Sequence, residues 1–182
     1  NWEDFMNLLN QLREQMPEYA RDIKLNLGSI LSTEGAPGLT INQIFGAALA
    51  TAYATKNTRL IAVIEQESSA ILSDAEQQAA KAASVIMAMN NIYYRFTHFA
   101  ENDSLSKLPA RLRMNVIGKP GIEKLDFEIY SLAVSAYNGC EMCVKSHIHE
   151  VQKAGLSIEG VQSVARIAAT ISATAQAVSL LD

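Results

Sequence analysis

DFEIYSLAVSAYNGCEMCVKSHIHE, residues 126–150, decides both the fold and the chemistry of this chain. An apolar, helix-period run ends at Asn138 and Gly139, a pair suited to a left-handed helix cap. Cys140 then opens a second helix, to about Ala154, which Gly155 ends. Both cysteines of the chain and two of its three histidines lie in this one reversal.

Cys140 and Cys143 are three residues apart, so their sulfurs can meet in a disulfide if the first sits at the helix start. Unpaired amides and the positive end of the helix dipole favour a thiolate there. Glu141, beside the pair, works against that charge. His147, four residues after Cys143, shares its helix face, and a neutral imidazole accepts a thiol proton near neutral pH. Glu128 sits about two and a half turns before the break, so a helix folding back across the cysteines presents it to His147. His149 points about 200° away from His147 and cannot share a small site with it. Residue chemistry alone leaves three readings of the cysteines: a redox dithiol, two buried core thiols, or a zinc site built from Cys140, Cys143 and His147. Taken alone, Glu128 is an ordinary acid near a helix N-terminus and His147 an ordinary surface histidine. His98 lies in a polar stretch and is assigned nothing. Met87 and Met89 read as core or subunit interface rather than as a cofactor box.

Working outward, residues 1–31 carry Phe5, Leu8, Leu9, Leu12 and Met16, then Tyr19, Ile23, Leu27 and Ile30, which gives two short amphipathic helices broken near Pro17. Residues 32–38 form a loop. Thr40 caps a helix running to about Thr55, Asn57 and Thr58 interrupt the pattern, and Arg59 to about Leu72 forms the next helix. Ser73 caps a further helix through Ala83 and Met87, and residues 97–121 read as irregular. Lys119, Pro120 and Gly121 stop the chain before a helix from about Glu123 or Asp126 to Tyr137, and Ser157 caps a last helix to Leu180. The result is an all-α chain.

A constant shift of 84 residues superposes Ala52 and Tyr53 on Ala136 and Tyr137, Ala70 on Ala154, Leu72 and Ser73 on Leu156 and Ser157, and Gln78 on Gln162. Residues 43–91 and 127–175 are therefore expected to be copies of one helical unit within a single domain spanning 1–182. Lys56 and Arg59 stand where the second copy has Cys140 and Cys143, so only one copy keeps the chemistry.

The 182 residues suffice for a real core. Ala-rich windows such as AALATAYAT predict closely packed helices. A net charge of −4 gives no basic footprint for nucleic acid. The first residues lack a leader-like pattern and no apolar run reaches spanning length, so a soluble cytoplasmic protein without membrane contact is expected.

EIYSLAVSAYNGCEMCVKSHIH, residues 128–149, resembles the active-site segment of the alkyl hydroperoxidase D family in the carboxymuconolactone decarboxylase-like superfamily. PEYARDIKLNL at 17–27, MNNIYYR at 89–95 and LRMNVIGKPGI at 112–122 extend the resemblance over nearly the whole chain. It implies a duplicated all-α fold assembled as a homotrimer. It also implies an enzyme that reduces organic hydroperoxides and regenerates the peroxiredoxin alkyl hydroperoxide reductase C. Its reductant would be dihydrolipoamide, carried by a lipoyl-bearing dehydrogenase-complex subunit, with no bound cofactor and no metal.

Position by position, Cys143 matches the peroxide-reactive cysteine that becomes a sulfenic acid. Cys140 matches the more accessible resolving cysteine, the proton donor and the site of the mixed disulfide with the partner. The two form a Cys140–Cys143 disulfide. His147 matches the proton-relay histidine, Glu128 its acidic partner, and His149 a further histidine behind them. Met142 departs from the family pattern, which carries His before the second Cys, and puts a relay through that position in question. The rival readings are a decarboxylase acting on a cyclic lactone acid and a zinc-holding binding module.

Overall fold

The helix that the rest of the chain surrounds is α3, Ile41–Thr55, in which every residue from Gln43 to Ala52 is buried. A helix apolar on all sides must be enclosed by others, and its alanines and Gly46 let a neighbour approach closely. That neighbour is α7, Lys124–Asn138, itself buried without interruption from Phe127 to Ser135. The two pack on each other more extensively than any other pair. The ring of Tyr130 lies against Gly46, where an added Cβ would overlap it.

The computed structural model describes residues 7–181. Phe5, expected on the first amphipathic helix, lies outside the described residues. Among those described, every regular element is helical: α1 (Asn7–Glu14), α2 (Arg21–Ile30), α3, α4 (Thr58–Ser69), α5 (Asp74–Ala100), α6 (Asp103–Ser106), α7, α8 (Glu141–Lys153) and α9 (Ile158–Ser179), with short 3-10 turns at Glu18–Ala20 and Asn115–Ile117. No described helix is long and apolar enough to cross a membrane.

The helix starts follow the capping chemistry of the sequence. Thr40 and Ser73 each complete a capping box, with Gln43 and Glu76. Ser157 accepts from the Gly160 N–H. Gln43 also donates its Nε2 to Asp126 Oδ1 at 2.8 Å, tying the start of α3 to the start of α7. Two boundaries differ from expectation. Asn57 does not merely interrupt: its side chain caps α4 on Leu60 N–H and reaches the Ala175 carbonyl of α9. The helix expected to fade at residue 97 continues through Ala100, because its polar residues sit on a solvated face and neither Gly nor Pro occurs before Pro109.

The starts of α7, α8 and α9 fall within one residue of those of α3, α4 and α5 moved by the 84-residue shift. Packing follows the same exchange: α9 lies on α3 as α5 lies on α7. We propose that the two sets are copies of one unit in a single domain. They share one continuous core that runs from Leu9 to Val178.

Replacing Gly46→Ala should lower stability by about 1–3 kcal/mol, because a methyl forces Tyr130 off its packing against α3. Urea unfolding checks this, and an unchanged midpoint would contradict the close contact.

Candidate active site

Gly139, at φ 71°, closes α7 in the left-handed region and turns the chain directly into α8. Helix α5 clamps this turn. Arg95 donates to the Asn138 carbonyl, Asn138 Nδ2 donates to Asn91 Oδ1 at 2.9 Å, and Asn91 Nδ2 donates to Ser135 Oγ at 2.9 Å. Asn91 is buried, so this chain of amides fixes the end of α7 from inside the core.

Cys140 is the N-cap of α8, and its Sγ accepts from the Cys143 N–H at 3.3 Å. The two cysteines are joined in a disulfide with Cα atoms 5.3 Å apart. The expectation that Cys140 is the more accessible sulfur is overturned. Cys140 is fully buried, whereas Cys143 is 8% exposed and is the one that faces the cavity described below. The cap position is the cause: it folds the Cys140 side chain inward over the first turn of α8.

Glu128 on α7 and His147 on α8 meet as expected, with Glu128 Oε2 2.6 Å from His147 Nδ1. Both are buried. In the neutral imidazole Nδ1–H donates to the carboxylate, which leaves the Nε2 lone pair free to accept a proton. His147 lies one helical turn from Cys143 on the same face and lines the same cavity.

That cavity, about 380 Å³, opens between α5, α7, α8 and the segment before α7. Met87, Asn90 and Tyr94 of α5 form one wall, Met114 and Ile117 another, and Met142, Ser146 and Glu150 stand on α8 beside Cys143 and His147. Met87 is thus core and cavity wall at once. His149 is exposed and does not line the cavity, so the structure does not bring it to the site.

Glu141, expected to oppose a thiolate, is engaged elsewhere. Lys145 Nζ donates to it at 2.6 Å and His98 Nε2 lies 3.1 Å away. The bond and charge of Lys145, followed by His98, hold this exposed carboxyl below its ordinary range. His98, to which sequence reading gave nothing, therefore ties the end of α5 to the first turn of α8. Asn90, Tyr94, Met114 and Ile117 were also missed. Their signal was present in the stretches 89–95 and 112–122, which carry the family resemblance without local chemistry. Among the described residues no group of three or more His, Cys, Asp or Glu is arranged to hold a metal ion. In this disulfide state both sulfurs are bonded to each other.

Residues 103–182 match the sequence model of the Carboxymuconolactone decarboxylase family. Curated relatives cover nearly the whole chain. The chain is 50% identical over 175 residues to the alkyl hydroperoxide reductase AhpD of Coxiella burnetii (strain Dugway 5J108-111), covering 96% of this chain and 98% of that protein. It is 50% identical to the protein of the same name from Rhodospirillum centenum over 167 residues, 92% of this chain and 88% of the relative. Against that from Gluconacetobacter diazotrophicus it is also 50% identical, over 169 residues, 92% of this chain and 90% of the relative.

Replacing Asn91→Leu strands Ser135 Oγ in the core, takes the partner from the half-buried Asn138 Nδ2 and should cost about 2 kcal/mol. The shift of the chemical-denaturation midpoint measures it, and a neutral result would remove the amide chain as the clamp of the turn.

Proposed function

The chain belongs to the alkyl hydroperoxide reductase AhpD family, within the carboxymuconolactone decarboxylase-like superfamily, and from that membership we propose a thiol-dependent hydroperoxidase cycle run by Cys143 and Cys140. It is an antioxidant oxidoreductase. The observation that carries the catalytic reading is the buried Glu128–His147 pair lining one cavity with Cys143, the outer sulfur of the disulfide.

In the reduced enzyme His147 Nε2 takes the proton of the Cys143 thiol, and Glu128 holds the resulting imidazolium. The thiolate attacks the terminal oxygen of an organic hydroperoxide, and the O–O bond breaks. Sulfur is oxidised to the sulfenic acid, and the leaving alkoxide takes the proton back from His147 to depart as alcohol. Cys140 is the resolving cysteine and proton donor: its thiol condenses with the sulfenic acid, forming the disulfide and releasing water. The first-turn amide that touches Cys140 Sγ supports this role by favouring its thiolate.

Dihydrolipoamide, delivered on a lipoyl-carrying dehydrogenase-complex subunit, reopens the disulfide by exchange and leaves as the cyclic disulfide. The same dithiol regenerates the peroxiredoxin alkyl hydroperoxide reductase C, through a mixed disulfide at Cys140. The enzyme carries no bound cofactor and no metal and works in the cytoplasm. His149 serves no step.

A homotrimer completes the reading. Helix α5 leaves Val85, Ile92, Phe96 and Phe99 exposed along one stripe, each more than half accessible, and such a face is suited to burial against another copy.

Replacing Cys143→Ser should abolish hydroperoxide consumption, and turnover retained in that variant would overturn the cycle. Activity that also survived thiol blocking would favour a decarboxylase instead. A thiol count should find two thiols only after treatment with dihydrolipoamide. Glu128→Gln should slow sulfenic acid formation by about a hundredfold or more while the disulfide still forms under oxidant. Ile92→Glu should shift the sedimenting species from trimer to monomer.

A further inference from the structure

Asn90 is the residue of the cavity whose chemistry is unspent. It is 5% exposed, and its Oδ1 is buried with no hydrogen-bond partner. Its Nδ2 reaches only Met114 Sδ, at 3.8 Å, a weak acceptor that lines the same cavity. Its backbone carbonyl oxygen lies 3.9 Å from Cys143 Sγ. Its neighbour Asn91, by contrast, spends both ends of its amide on Ser135 and Asn138. Buried amide oxygens are nearly always paired, so an unpaired one on a residue that lines the cavity with Cys143 calls for a visiting donor. The other polar groups deepest in the cavity, Glu128 and His147, already hold each other. Around it, Met87, Met114 and Ile117 offer only apolar or thioether surface, and Tyr94 completes the wall that Asn90 stands on.

We propose that Asn90 Oδ1 binds the hydroperoxide group itself, accepting the hydrogen of R–O–O–H so that the terminal oxygen is presented to Cys143. This rests on the hydroperoxidase reading above and adds the residue that orients its substrate. The O–H of the hydroperoxide donates to Oδ1, the Cys143 thiolate forms the S–O bond at that terminal oxygen, and the O–O bond breaks. The two electrons leave with the alkoxide, which is protonated from His147. The hydrogen held by Asn90 stays on the sulfenic acid. The alkyl part lies against the methionines and Ile117.

The test compares two half-reactions in the full-length protein for Asn90→Ala and Asn90→Leu. Oxidation of the reduced enzyme by tert-butyl hydroperoxide should slow about tenfold, the loss of one hydrogen bond in the transition state. Reduction of the disulfide by dihydrolipoamide, which involves no O–O–H group, should change less than about twofold on the same scale. The pH midpoint of Cys143 alkylation by iodoacetamide should stay where it is. Unchanged peroxide oxidation would overturn the proposal, and so would a parallel fall in both half-reactions, which marks a packing role. If neither variant folds, the Asn90 side-chain amide resonance in the Cys143→Ser protein decides: it should move on titration with tert-butyl hydroperoxide, and a stationary resonance overturns the assignment. A wild-type enzyme that exchanges with dihydrolipoamide but ignores peroxide would instead fail the hydroperoxidase reading as a whole.

Discussion

The reversal at Gly139 is the constraint on which the site depends. No atom would obstruct a Cβ there, so the requirement is conformational: the positive φ turns α7 into α8 within two residues. A longer loop would have moved Cys140 off the helix start and His147 out of line with Glu128. The tight turn instead stacks the last turns of α7 against the first of α8. A carboxylate nineteen residues before an imidazole thereby lies 2.6 Å from it. Burying both groups costs solvation that their mutual hydrogen bond offsets only when the geometry is good. The amides of Asn91 and Asn138 supply the rigidity that such geometry needs.

The rigidity comes from deeper in the fold. Helix α7 holds Glu128 below the surface only because α3 lies so close on its other side, and α3 can do so because it is built from Ala and Gly. The same pair marks the relation between the halves. In the first half, Arg59 stands where the second has Cys143, and it hydrogen-bonds to Gln15 while α1 packs over α4. In the second half, among the described residues, Cys143 lines the open cavity. On the proposed duplication, one of two corresponding positions is covered by α1 and the other opens onto the cavity.

Much of this was legible because it is local. Thr40, Ser73, Ser157 and the Asn138–Gly139 pair encode their boundaries in a few residues of side-chain-to-backbone bonding, and each acts where its sequence places it. Cys143, His147 and Glu128 were likewise readable from helical spacing across a recognised break. What escaped is set by contacts distant in sequence. Asn90 and Met114 reach Cys143 from 53 and 29 residues away, and no periodicity announces such a meeting. The inward turn of Cys140 also escaped, because a cap residue's spacing does not say which way its side chain folds. His98 looked like loop because polar residues on an exposed face do not end a helix.

Met142 changes meaning once the pair is seen. A histidine at that position would offer a second relay, and its replacement looked like a break in the proton path. In the proposed cycle Glu128 and His147 form the acceptor without it, both buried and lining the cavity with Cys143. Met142 lies on the same cavity but is 42% exposed, at its rim. A thioether there carries no proton and adds apolar surface facing Met114 and Ile117 across the opening. In the proposed cycle Met142 therefore bears on what enters the cavity, and the deprotonation of Cys143 rests on Glu128 and His147. Its side chain makes the mouth more apolar, and so better suited to an alkyl chain than to water, while the proposed proton path runs only through the buried pair.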